Sequence, residues 1–91
     1  MPRNEADADT MTRVRSVVIE VGGLASVAID ASLRDAGLTS LDMVKVVLAI
    51  EDAFAIELTD REVSPRNFAS IRSIGDLLAN RSDVAAPGAF N

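Results

Sequence analysis

The sequence predicts a small all-α protein, a four-helix bundle of three main helices and one short helix, with a long loop between the first and second. Three observations carry this. Apolar residues recur at helical spacing in three separate stretches. Hydroxyl residues followed by acids or by proline mark helix starts. Strict strand-like alternation is absent, even from the β-branched run Val14–Val21. A length of 91 residues suits one domain. Residues 1–9 read as a polar tail, 10–81 as the folded domain and 82–91 as a second tail containing Phe90.

The first helix starts near Thr10, where Met11, Val14, Val18 and Val21 form one stripe. Gly22-Gly23 ends it, because glycine readily adopts the left-handed conformation of a C-cap. Residues 22–38 form the long connection, pinned by Leu24, Val27, Ile29, Leu33 and Leu38, with Gly37 turning the chain before the next helix. Thr39 and Asp42 stand as an N-cap hydroxyl and an acid three residues on. In the helix that follows, Leu41, Val44, Val47 or Leu48, and Glu51 or Phe54 continue at helical spacing, with Val44 expected in the core. Ala55–Leu58 is a linker. Thr59 with Glu62, and Ser64-Pro65, are two start signals for the short helix within residues 60–68. Ser70 caps the last helix, whose stripe is Ile71, Ile74, Leu77 and Leu78. Gly75 there permits a close helix contact, and Arg81 suits the negative end of the helix dipole.

Composition removes many functions. The chain has no Cys and no His, so thiolate nucleophiles, His-based triads and Cys- or His-ligated metals are excluded. Fourteen acidic residues against nine basic give a net charge of −5, the wrong sign for a nucleic-acid binder. No apolar run approaches the ~20 residues that span a bilayer, and the acidic N-terminus is unlike a signal peptide. The expectation is a soluble, cytoplasmic monomer.

Ser40 is the residue with chemical potential, at the first helical position after Thr39. A serine nucleophile requires a base. The single lysine, Lys45, lies five residues on and faces elsewhere on a helix, so a Ser–Lys hydrolase lacks its geometry. Ser40 is therefore better suited to being modified than to reacting. By spacing alone it also reads as a plain helix cap in a small protein–protein interaction domain.

The ordered features Asp30-Ala31-Ser32-Leu33, Gly37, Ser40-Leu41, Ala49-Ile50-Glu51-Asp52-Ala53-Phe54 and Ser64-Pro65-Arg66-Asn67-Phe68 resemble the acyl carrier protein family over roughly residues 10–80. The resemblance implies a carrier with no catalysis of its own. It makes Ser40 the attachment point for 4'-phosphopantetheine donated by coenzyme A. The arm's thiol would then hold an acyl or aminoacyl group as a thioester, which supplies the thiol that the chain lacks. The implied partners are a phosphopantetheinyl transferase, an acyl- or aminoacyl-loading ligase and a downstream acyltransferase or synthase.

Two departures from the family's pattern, Thr39 where Asp is common and Lys45 where an acid is common, point away from fatty-acid synthesis towards a specialised pathway. Modified lipid, secondary-metabolite and aminoacyl routes all fit. Residues 40–62 carry six acids against two basic residues, net −4. Asp42, Glu51, Asp52, Asp60 and Glu62, with Met43 for apolar contact, are the expected docking residues.

Overall fold

A computed structural model describes residues 8–81. The C-terminal tail with Phe90, and residues 1–7 of the N-terminal one, lie outside the described residues. Helix α1 spans Ala8–Gly22, two residues earlier than the apolar periodicity requires. Val14 and Val18 of its stripe are fully buried, and Met11 and Val21 pack against the same core. Gly23 closes the helix at φ 64°, as its lack of a Cβ allows.

Helix α2 spans Ser40–Phe54 and helix α3 spans Ile71–Ala79. Each starts on a reciprocal capping box. Thr39 and Asp42 exchange side-chain-to-backbone bonds at α2, and Ser70 and Ser73 do so at α3. Among the described residues there is no strand. Helix α1 packs on both α2 and α3, whereas α2 and α3 do not approach each other directly. Connecting segments close that gap. Leu33 and Leu38 of the long loop and Phe68 of the later one enter a core shared with Val46, Ile50, Phe54, Ile71, Ile74 and Leu78. Gly75 is buried within α3, as its proposed role in close packing requires.

The long loop is tied down. Leu33 N donates to Ala69 O at 2.9 Å, and Arg72 N donates to Ile29 O at 2.9 Å. The Arg72 guanidinium also grips the Asp30 carboxylate, which is held below its ordinary value chiefly by that hydrogen bond. Seventeen residues without helix are therefore a buttress between α3 and the start of α2.

Residues 60–68, expected to hold a short helix, form two successive capped turns. Thr59 Oγ1 accepts from Glu62 N, and Thr59 N donates to the Glu62 carboxylate at 2.9 Å. Ser64 Oγ accepts from Asn67 N at 3.1 Å. The two start signals both operate, as separate turns, and Pro65 directly follows Ser64 in the second. Its ring disfavours helix at Ser64 and it has no amide with which to continue a ladder from the first turn.

The burial pattern of α2 corrects the sequence reading. Val44 is 54% exposed, and Leu41 and Leu48 are 64% and 60% exposed. The buried side is Val46, Ile50 and Phe54, with Met43 and Val47 at its flank. At about 100° per residue, Val44 and Leu48 each fall some 160° from Val46 around the helix, on nearly the opposite face. Both stripes have helical spacing, and the tertiary fold chose the other one.

Candidate functional site

Thr39 sets the site. Its extended backbone (φ −84°, ψ 172°) delivers the chain into α2, and its Oγ1 accepts from Asp42 N at 3.1 Å. In return Asp42 Oδ2 accepts from Thr39 N at 3.0 Å. The cap is therefore supplied by Thr39, which leaves the neighbouring serine hydroxyl unspent. Ser40 is exposed, and its side chain has no hydrogen-bond partner among the described residues. First-turn amides of a helix have no intrahelical acceptor and meet the positive end of its dipole. A phosphodiester on the Ser40 oxygen fits this setting: accessible, at a helix start and beside unpaired donors.

Ser40 opens onto a groove of about 450 Å³ between the start of α2 and residues 63–69. Its wall includes Leu38, Met43, Val44, Val47, Val63 and Phe68. The groove follows from the fold, since the backbones of α2 and α3 stay apart and the turns bridging them fill the gap incompletely. A broader depression of about 590 Å³ lies at the opposite end of α2, lined by Glu51, Asp52, Ala55, Ile56, Glu57 and Arg81. Among the described residues no carboxylate cluster suited to a metal occurs there or elsewhere.

The expected docking residues divide. Asp52 and Asp60 are exposed. Three other carboxylates are engaged within the fold. Asp42 completes the α2 cap, and Glu51 Oε2 accepts from Leu58 N at 2.8 Å. Glu62 accepts from Thr59 N and from Arg81 Nη1, at 2.5 and 2.6 Å to its two oxygens. Arg81 thus secures the turn at Glu62, a bond across 19 positions that helix-dipole reasoning did not anticipate. Met43, expected to face partners, is half-buried and packs on the core while lining the groove. The outward apolar surface is instead Leu41, Val44, Leu48 and Val63. The only trace of it in the sequence is that α2 has more apolar residues than one stripe requires.

The engaged carboxylates give the fold an acid limit. The Thr59 amide, then Arg81, hold the Glu62 carboxyl below its ordinary 4.5, and the Thr39 amide holds Asp42 below its ordinary 3.8. A carboxyl depressed in the folded state stabilises it fully above the unfolded pKa, and that contribution is lost as pH falls through the folded value. Unfolding free energy should be level from neutrality down to about pH 5 and decline below it. Urea melts at neutral pH and in acid should show a smaller acid loss for Glu62→Gln than for the parent. Equal losses would show that Glu62 does not contribute to the decline.

Among the described residues no helix is long and apolar enough to cross a membrane. The family described as phosphopantetheine attachment site matches residues 12–80. The aminoacyl carrier protein of Agrobacterium fabrum is 37% identical over 67 residues, 69% of this chain and 81% of that one. Aminoacyl carrier protein 1 of Bradyrhizobium diazoefficiens is 38% identical over 58 residues, 63% of this chain, and the match spans 64% of the relative's length. The fold is similar to a chain in the crystal structure of Bradyrhizobium japonicum glycine:[carrier protein] ligase complexed with glycylated carrier protein. The TM-score is 0.72 at 29% identity, covering 76% of this chain and 97% of that one. The same ligase complexed with cognate carrier protein and an analogue of glycyl adenylate gives a TM-score of 0.74 at 28% identity, covering 80% and 99%. With the family match running through nearly all of the described residues, the chain belongs to the phosphopantetheine attachment site family, as a carrier with covalent 4'-phosphopantetheine for its cofactor and not as an enzyme.

Proposed function

We propose that residues 10–81 form an aminoacyl carrier, with the capped turns of 60–68 as its short fourth helical element, and that Ser40 Oγ is the attachment point. The observation that carries this is the accessible, unspent hydroxyl at the first position of α2. A cytoplasmic phosphopantetheinyl transferase joins that oxygen to the phosphopantetheine phosphate of coenzyme A, releasing adenosine 3',5'-bisphosphate. The arm supplies the thiol on which an aminoacyl group rides. Similarity to aminoacyl carriers, and to chains seen with a glycine ligase, supports an amino acid as cargo over a fatty acyl group. A downstream acyltransferase or synthase would then unload it.

The test is intact mass after incubation with coenzyme A and a broad-specificity transferase. A gain of one phosphopantetheine, mapped to the peptide holding Ser40, is the expected result. A folded protein of unchanged mass would instead favour an interaction domain in which Ser40 is only part of a helix start.

The loading ligase is proposed to dock on the outward stripe Leu41, Val44 and Leu48, flanked by Asp52 and with Asp60 adding charge. A desolvated apolar contact carries more binding energy than rim charges, which act mainly on encounter rate. Leu48→Asp should lower kcat/KM for loading by a glycine:[carrier protein] ligase by about 10–30-fold, the effect of losing roughly 2 kcal/mol at an interface centre. Asp52→Lys with Asp60→Lys should change the rate less and flatten its salt dependence. Unaltered loading of Leu48→Asp would remove the stripe from the docking surface. Asp42 and Glu51 are unsuitable for charge reversal because both carboxylates hold the fold.

A further inference from the structure

The wall of the Ser40 groove contains a single charged side chain among the described residues, and it is a cation, Arg34. Arg34 is exposed there, in a chain of net charge −5 that has carboxylates to spare as counter-charges. None pairs with it: Arg34 has no carboxylate partner among the described residues. The adjacent carboxylate, Asp35, forms no ion pair with it among the described residues. Thr39 is uncharged, and the Asp42 carboxylate is committed to the Thr39 amide.

The backbone holding Arg34 is fixed. Ala36 N donates to Ser32 O at 2.9 Å, Gly37 N to Arg34 O at 3.0 Å and Leu38 N to Leu33 O at 3.1 Å. Buried Leu33 and Leu38 clamp the two ends of that turn. The positive φ of Gly37, 111°, lets the chain fold back so that Arg34 and Ser40, six positions apart, line one groove. Three other arginines are engaged in the fold: Arg13 lies over the Phe54 ring, Arg72 binds Asp30 and Arg81 binds Glu62. Of the exposed arginines without such a partner, Arg34 is the one that lines the Ser40 groove. Arg34 is an exposed guanidinium on a hydrogen-bonded turn, with no ion-pair or hydrogen-bond partner among the described residues.

We infer that Arg34 binds the phosphodiester carried by Ser40, resting the root of the arm against the groove. This deepens the assignment of Ser40 and rests on it. A guanidinium presents a planar fork of donors that matches phosphate oxygens, and the pairing is charge-assisted. The helix amides of α2 would meet the phosphate from one side and Arg34 from the groove side. The arm then leaves the serine in a restricted direction.

The experiment uses isolated holo protein, with no partner enzyme present, and reads nuclear magnetic resonance. On conversion from apo to holo the Arg34 Nε–Hε resonance should shift. The 31P resonance of holo Arg34→Gln should move from that of the parent towards that of the same serine phosphodiester in urea-unfolded holo protein. Arg34→Lys should fall between them, because the charge remains and the fork is lost. Arg15→Gln removes an equal charge from an exposed position on α1 and should leave the 31P signal in place. Both sites are exposed, so all variants should fold. Identical 31P shifts in Arg34→Gln, Arg15→Gln and parent would overturn the role of Arg34 while leaving Ser40 as attachment residue. A parent that gains no mass on treatment with coenzyme A and transferase would overturn both.

Discussion

Ser40→Ala is expected to fold as the parent does and to gain no mass on incubation with coenzyme A and a transferase. The two halves of that result have separate causes. The side chain is exposed and has no hydrogen-bond partner among the described residues, and the cap comes from Thr39. Alanine is also a better helix former than serine, so stability should stay within about 0.5 kcal/mol of the parent. Removing the oxygen removes the only atom through which the residue could be esterified. Thr39→Ala should behave in the opposite way. It loses the bond to Asp42 N and should cost about 1 kcal/mol in a urea melt, yet still be modified. Together the pair separates the hydroxyl that holds the helix from the hydroxyl proposed to carry the arm. Mass gain persisting in Ser40→Ala would place the attachment elsewhere.

The cap at Thr39 was legible in the sequence because helix starts are written locally. Thr39 with Asp42, and Thr59 with Glu62, show their pairing at a fixed spacing of three, and both pairs form. The glycine after α1 and the apolar stripes of α1 and α3 are local signals of the same sort. What periodicity does not encode is which of two apolar stripes meets the core. On α2 the choice between Leu41–Val44–Leu48 and Val46–Ile50–Phe54 depends on where α1 lies, and that is tertiary information. The end of α2 falls where the linker Ala55–Leu58 was read, although Ala55 closes the helix in the left-handed conformation (φ 56°) without the glycine that usually marks such an end. Pairings between distant positions, Arg81 with Glu62 or Arg13 with Phe54, leave no spacing to read. The importance of Arg34 emerges only once a turn has folded it beside Ser40.

The larger stability effect is expected at the other end of the same helix. Phe54→Ala should destabilise the fold by about 3–5 kcal/mol in urea melts, the range for emptying a buried phenylalanine site. Phe54 is 0% exposed and the largest fully buried side chain among the described residues. It also supports a contact that helps to terminate α2. That helix has no basic residue in its last turn. The cation comes from α1 instead, where Arg13 donates to Ala53 O and lies 4.1 Å from the Phe54 ring centroid. Losing the ring therefore opens a cavity and removes the surface that steadies the guanidinium at the negative end of the helix dipole. For a folded unit of this size, total stability is roughly 0.05–0.15 kcal/mol per residue, so one substitution removes a large share of it. Phe54→Leu, which refills most of the volume, should cost less than about 1.5 kcal/mol. A double-mutant cycle with Arg13→Ala should return about 0.5–1 kcal/mol of coupling. A loss below about 1 kcal/mol for Phe54→Ala would mean that the core closes over the gap. Phe54 lies fourteen positions, about 21 Å, from Ser40 along α2. In the cold, where enough of the variant stays folded, it should therefore still accept phosphopantetheine, because the proposed attachment oxygen sits at the helix end that Thr39 holds.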